Sequence, residues 1–241
     1  ELVTDAPQFL AVASVTLTYV IIGVPLQLAL ALSIAVILNR GLAAMSFYRS
    51  AYYLPSLLGS SVAVALLWRQ IFGSEGLVNV VLRLLGWANP PNWIATPDHA
   101  LGTLIALHVW TFGSPMIIFL AGLRQVPQEL YEAADVDGAN AWTKFWRITI
   151  PLITPVIFFN FILQMISAFQ AFTQAYVVSG GQGGPVNSTL FYSLYLYRQA
   201  FLNFHMGYAA AMAWVLFVVI ALFTWLAFST SGRWVYYGGG R

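Results

Sequence analysis

The chain has no cysteine, so disulfide frameworks, thiolate zinc sites and thiol nucleophiles drop out. Charge is nearly as scarce. The 241 residues include 10 Lys and Arg and 8 Asp and Glu, a net charge of +2, and charged residues make up 7% of the sequence against 60% hydrophobic. An ordinary soluble domain is about one quarter charged, so this chain lacks the polar surface to face water on all sides. With so small a net charge and no basic tract, nucleic acid is not an expected partner. There is no Gly-x4-Gly-Lys-Ser/Thr phosphate loop; the glycine-rich run Gly180–Pro185 lacks the lysine. Proton relays and ion sites have little to work with, because His108 is the one clear ionisable group in the middle of an apolar run and Arg69 sits near an end.

What is present is a set of long apolar runs, with a mean hydropathy of +0.77. Lipid admits only helices or closed barrels, and runs of about 20 residues rather than alternating ten-residue segments select helices. The expected fold is all-α, a polytopic membrane helix bundle. Its spans are Phe9–Leu38, Ala51–Phe72, Ala100–Leu123, Pro151–Val178 and Gly207–Ser229. Gly23 and Pro25 are candidate kink positions in the first. Gly207, Ala211 and Trp214 suggest close helix packing in the last.

If the first span starts outside, Arg40, Arg49, Arg124, Lys144, Arg147, Arg233 and Arg241 fall inside, and Arg83 and Arg198 outside. The positive-inside bias then gives a cytoplasmic C-terminus. Glu1, Asp5, Glu75 and Asp98 fall outside. An upstream helix, expected because the sequence reads as an excerpt starting at Glu1, would raise five spans to six. Gly76–Trp87 and Asn187–Asn203 read as amphipathic, aromatic-rich segments lying at the outer headgroup boundary, with a re-entrant or bundle-packed segment as the alternative.

The scarce charge is concentrated. Glu132, Asp135, Asp137, Lys144 and Arg147 all lie in LYEAADVDGANAWTKFWRITIPLITP, Leu130–Pro155. Pro127 and Glu129 suit a helix start. Asp137-Gly138 suits a turn, with Asp137 capping a second helix over Ala139–Ile148. Pro151 suits the first turn of the next span. Ala133, Ala134 and Ala139 allow another surface to approach closely. A solvated loop with helix-capping acids accounts for the same residues. A metal or acid–base site does not suit acids that have no histidine nearby.

Glu132-Ala133-Ala134, three residues, Gly138, nine residues, then Ile148-Thr149-Ile150-Pro151 resembles the EAA loop of ABC-importer membrane subunits, Glu-Ala-Ala-x3-Gly-x9-Ile-x-Leu-Pro, with Ile150 for Leu. Phe47–Leu58, Leu67–Gly86, Ala121–Ala139 and the glycine-rich run ending Gly184-Pro185 extend the resemblance to the sugar-type permeases for maltose, trehalose and glycerol-phosphate, over essentially the whole chain.

The resemblance implies a type I ABC importer transmembrane fold over 1–241, with a cytoplasmic coupling loop at 124–150. It implies residence in a bacterial or archaeal cytoplasmic membrane. It implies a second related permease, two copies of a cytoplasmic ATPase and an extracytoplasmic solute-binding protein as partners, beside membrane lipid. ATP and Mg would sit on the ATPase, this chain binding no cofactor and having no catalytic site of its own. Glu132, Ala133, Ala134, Asp135, Asp137, Gly138, Lys144 and Arg147 would form the ATPase-coupling surface.

For the solute, Trp110, Thr111 and Ser114 in the third span and Asn160, Gln164, Ser167, Gln170 and Gln174 in the fourth are the candidate path. Amides and hydroxyls beside aromatic faces suit a sugar, and the same groups also serve as hydrogen-bonding glue between helices. His108 reads as a packed histidine or as part of the path. Alternatives are an importer of glycerol-phosphate or another polar solute, an ion-coupled secondary transporter, and a membrane scaffold.

Overall fold

The computed structural model describes residues 6–39, 45–59 and 61–236. Glu1, Asp5, Arg40 and Arg241, named above, lie outside these residues. The described chain is helical with no strand: α1 (Ala6–Asn39), α2 (Met45–Leu58), α3 (Val62–Ile71), α4 (Leu77–Leu84), α5 (Pro97–Trp110), α6 (Gly113–Leu123), α7 (Gln128–Val136), α8 (Ala141–Lys144), α9 (Ile150–Phe169), α10 (Thr173–Val178), α11 (Tyr192–Tyr197) and α12 (Met206–Ser231). One turn of wider π-helix joins α8 to α9 at Phe145–Thr149, and another follows α11 at Arg198–Leu202.

Helix α1 is the centre of the bundle and packs along α5, α6 and α9. Its buried stripe runs Val12, Thr16, Tyr19, Gly23, Gln27, Ala31, Ala35 and Leu38, at helical spacing. Ala31 and Ala35, fully buried, let neighbouring backbones come close. The opposite face exposes Ile22, Leu26, Leu30 and Ile37. A helix apolar on both faces has no place in water and an ordinary one in lipid. Helix α12 is similar, exposing Trp214, Phe217, Val218, Leu222 and Trp225 while Phe223 and Phe228 reach Phe169 and Phe158.

Three apolar helical stretches are long enough to cross a membrane uninterrupted, and two bent pairs, α2 with α3 and α5 with α6, bring the spans to five. The bends correct the expectation of a continuous helix over Ala51–Phe72 and over Ala100–Leu123. At the second, the axis turns by 41°. Pro115 has no N–H to give the Thr111 carbonyl, so the ladder opens there. Gly23 and Pro25 do not interrupt α1. Gly23 instead admits the His108 ring, and a Cβ there would stand 3.1 Å from His108 Cδ2.

Three further expectations are corrected. The Asn187–Asn203 segment is packed in the bundle: Leu190, Phe191, Tyr192, Leu194 and Tyr195 are buried, and the Tyr192 N–H donates to Thr16 Oγ1 of α1 at 2.9 Å. Aromatic-rich helices suit a headgroup boundary and a polar-lined interior alike. The second loop helix starts after Asn140, whose Oδ1 accepts the Thr143 N–H at 2.8 Å, while Asp137 ends the first helix rather than starting the second. In α12 the buried positions are Ala209, Met212 and Ser231; Gly207 faces open space and Trp214 is 69% exposed.

Gly76–Trp87 does hold an amphipathic helix, α4. Asn79 points inward, donating to Ser74 O and Pro91 O and accepting from Trp93 Nε1, while Leu77, Val81 and Leu84 face out.

Candidate functional site

In the charged loop, α7 ends in a Schellman turn. The Ala139 N–H donates to Ala134 O at 2.9 Å and the Gly138 N–H to Asp135 O at 3.1 Å. Closing this turn places Gly138 at φ +74°, a conformation that costs a residue with a Cβ roughly 1–2 kcal/mol. The Ala134-x3-Gly138 spacing is thus the spacing of one helix terminus. Asp135 forms an ion pair with Lys144. Glu132 is exposed and has no hydrogen-bond or ion-pair partner among the described residues. Glu129, Ala133 and Val136 are exposed beside it, Val136 to 89%. This face of α7 is open, acidic and sterically accessible. Asp137 is exposed, and Arg147 lines a cavity of about 300 Å³ with Leu130, Ile148, Pro151, Leu152 and Tyr236.

Sequence reasoning passed over Tyr131 and Thr149, whose hydroxyls lie 2.8 Å apart. Tyr131 precedes the motif and Thr149 fills one of its unspecified positions, so only the fold brings them together.

The candidate path residues divide into two sets. Thr111, Asn160 and Gln174 are committed to internal bonds, and Ser114 is so through its backbone N–H alone. The Thr111 carbonyl freed by Pro115 accepts from Gln27 Nε2 at 3.1 Å and from Ser56 Oγ at 2.8 Å. The Ser114 N–H donates to Ser56 Oγ at 2.9 Å, and Gln27 Nε2 also reaches His108 O at 3.0 Å. Asn160 Nδ2 faces Pro115 O at 3.4 Å, and Gln174 Nε2 donates to Gly59 O at 3.2 Å. The bends in spans two and three are therefore bridged by side chains from spans one and four. Gly59 sits against Thr111 so tightly that a Cβ would stand 2.1 Å from Thr111 Cγ2.

Gln164, Ser167 and Gln170 form the other set. They make no hydrogen bond among the described residues, and Ser167 and Gln170 are exposed on the outer side of α9. Trp110 stacks near Trp68 with centroids 5.8 Å apart. His108 is packed against Tyr19 at 5.2 Å, its Nε2 buried without a hydrogen-bond partner among the described residues.

Gln27 and Ser56 were missed by sequence reasoning. For Gln27, an amide in the middle of the 34-residue apolar α1 was the available signal, since a polar group in lipid needs a partner.

At the end of the bundle away from the charged loop, which the positive-inside bias assigns to the outside, Glu75 and Arg83 form a two-pronged pair at 3.0 and 3.2 Å. The Arg83 hydrogen bond and charge hold the Glu75 carboxyl below its ordinary value.

Bent apolar spans around one central helix, with a compact charged helix–turn at the root of the fourth, define a polytopic helical membrane protein. Residues 6–233 match the binding-protein-dependent transport system inner membrane component family, and the chain belongs to that family. It is 52% identical over 237 residues to the "Probable ABC transporter permease protein YesP" of Bacillus subtilis (strain 168), covering 98% of this chain and 77% of that one. It is 34% identical to the "Lactose transport system permease protein LacF" of Rhizobium radiobacter, covering 92% and 76%. A solved bacterial alginate ABC transporter, in complex with its alginate pentasaccharide-bound periplasmic protein, superposes with a TM-score of 0.79 at 22% identity, covering 94% and 79%. The fold is the transmembrane fold of ABC importers, and the chain is a permease component of one.

Proposed function

We propose that this permease carries a carbohydrate from an extracytoplasmic binding protein into the cell, powered by a separate ATPase that docks on loop 124–150. The observation that carries the coupling half is the open acidic face of α7 around Glu132, held on a terminus that needs Gly138. Glu132, Ala133 and Ala134 meet the ATPase, while Asp135, Asp137, Lys144 and Arg147 shape and charge the loop. Two ATPase copies, carrying ATP and Mg, act on this chain and a second related permease, and the C-terminus lies in the cytoplasm. This chain supplies no catalytic group to ATP hydrolysis.

For the cargo, the unbonded amides and hydroxyl of Gln164, Gln170 and Ser167 suit sugar hydroxyls, and Trp110 offers an aromatic face. That set holds no cation to meet a phosphate. The lactose-permease relative supports the same class. The test is uptake of a panel of labelled sugars and sugar phosphates by cells with and without this gene. Uptake of a neutral sugar that requires the gene is expected; dependence confined to ionic solutes would reject the carbohydrate reading.

A further inference from the structure

Helix α7 buries none of its residues, so core packing does not fix its orientation. Its polar side chains reach the rest of the described chain at two points. Tyr131 meets Thr149 at 2.8 Å, and Asp135 pairs with Lys144. Tyr131 and Asp135 are four residues apart and share one face of α7. Both partners lie on the root of span four. Thr149 is buried there, with its hydroxyl also 3.4 Å from Lys144 O, in the single π-turn that precedes α9. Among the described residues no side-chain hydrogen bond or ion pair of α7 reaches α6, and the link between them, 124–127, touches the core only through the half-buried Val126. Glu129, Glu132, Ala133 and Val136 occupy the other face of the helix.

We propose that Tyr131 and Thr149 are positioning residues that, with the Asp135–Lys144 pair, clamp the coupling helix to span four, so that a push on α7 moves span four as one body and flexes the connection to span three. The ion pair is half-exposed, with 63% of the Asp135 side chain open to solvent, and water weakens it. The hydroxyl pair at the buried end is the firmer latch. Span four carries Gln164, Ser167 and Gln170, so the clamp delivers the displacement to the helix with the unbonded polar face. The inference rests on the proposed docking of the ATPase at α7.

The absence of native cysteine makes the test direct. Nitroxide labels go on Gln128→Cys with Phe159→Cys, and on Gln128→Cys with Ile117→Cys, in the full importer with cysteine-free partner subunits. Distances are read by pulsed electron–electron resonance with and without Mg-ATP and vanadate. The clamp predicts that the 128–159 distance holds while the 128–117 distance shifts by about 2 Å or more. Adding Tyr131→Phe or Thr149→Val should broaden or shift the 128–159 distribution, and Thr149→Ser should restore it. A 128–159 distance that moves as far as 128–117, or that ignores Tyr131→Phe and Thr149→Val alike, overturns the clamp alone. If neither distance responds to nucleotide, the flexing connection to span three is refuted and the clamp falls with it, whereas docking itself is judged separately by recovery of the ATPase with the Glu132→Ala permease.

Discussion

Replacing Gly113 with alanine puts a Cβ 2.3 Å from the Tyr52 carbonyl oxygen, 2.8 Å from Tyr53 Cα and 2.9 Å from Ser56 Oγ. Ordinary carbon–oxygen contact begins at about 3.3 Å, so α2 must retreat about 1 Å from α6. Two of the three atoms are backbone, and no rotamer change relieves them. Overpacking of this kind costs about 1–3 kcal/mol. The retreat also stretches the Ser56 bridge to Thr111 O and the Ser114 N–H, at roughly 0.6 kcal/mol for each intramembrane bond. In a chain of this size the apparent unfolding midpoint should fall by about 5–10 °C. Gly102 in α5 is the control, because a Cβ there meets nothing within 4 Å. Gly102→Ala should leave the midpoint unchanged or raise it slightly, since alanine is the better helix former. Thermal unfolding in detergent, followed by fluorescence of the nine tryptophans, measures both. Equal midpoints for the two variants would refute the close α2–α6 contact and the bend it supports.

Gly138→Val should destabilise the α7 terminus by about 1–2 kcal/mol, seen as faster limited proteolysis in loop 124–150 at an unchanged rate elsewhere. Gln164→Leu and Ser167→Ala should lower uptake while membrane levels hold, whereas Thr111→Val, which removes the hydroxyl that donates to His108 O at 2.7 Å and accepts from Gln27 Nε2 at 3.1 Å, and Asn160→Leu, which removes the amide facing Pro115 O, should lower recovery of folded protein; the reverse pattern would make the exposed face of α9 structural. Because Glu75 has a lowered carboxyl value in the fold, its link to Arg83 is fully present above the ordinary carboxylate value of about 4.3 and is lost only as pH falls through the lowered one. Amide exchange across α4, corrected for intrinsic rate, should then be flat from neutral pH down to that range and rise below it, with Glu75→Gln raised throughout.

The spans were legible because lipid imposes a length and an apolar content on each run, and the loop was legible because the Ala134–Gly138 terminus is a local structure. Local signals ended there. Pro115 announced a freed carbonyl, and nothing near it in the chain named Gln27 and Ser56 as the groups that satisfy it, 84 and 55 residues away. The polar residues of span four looked like one stripe. Only packing separates Asn160 and Gln174, spent on neighbouring backbones, from Gln164, Ser167 and Gln170, which remain unbonded. Tyr192–Tyr197 was misplaced because composition does not tell an interface from a bundle interior, and the deciding bond runs to Thr16, far back in α1. Asp137 and Asn140 are both competent caps, and the Schellman turn at Gly138 decides for Asn140.

The account turns on Glu132 meeting an ATPase. The most direct measurement is co-purification of the ATPase with the tagged permease from its native membrane, comparing wild type with Glu132→Ala, alongside the ATPase activity of the recovered complex. The account predicts that Glu132→Ala keeps normal permease levels in the membrane but loses most of the bound ATPase or of its permease-dependent activity. Full retention of both would contradict it.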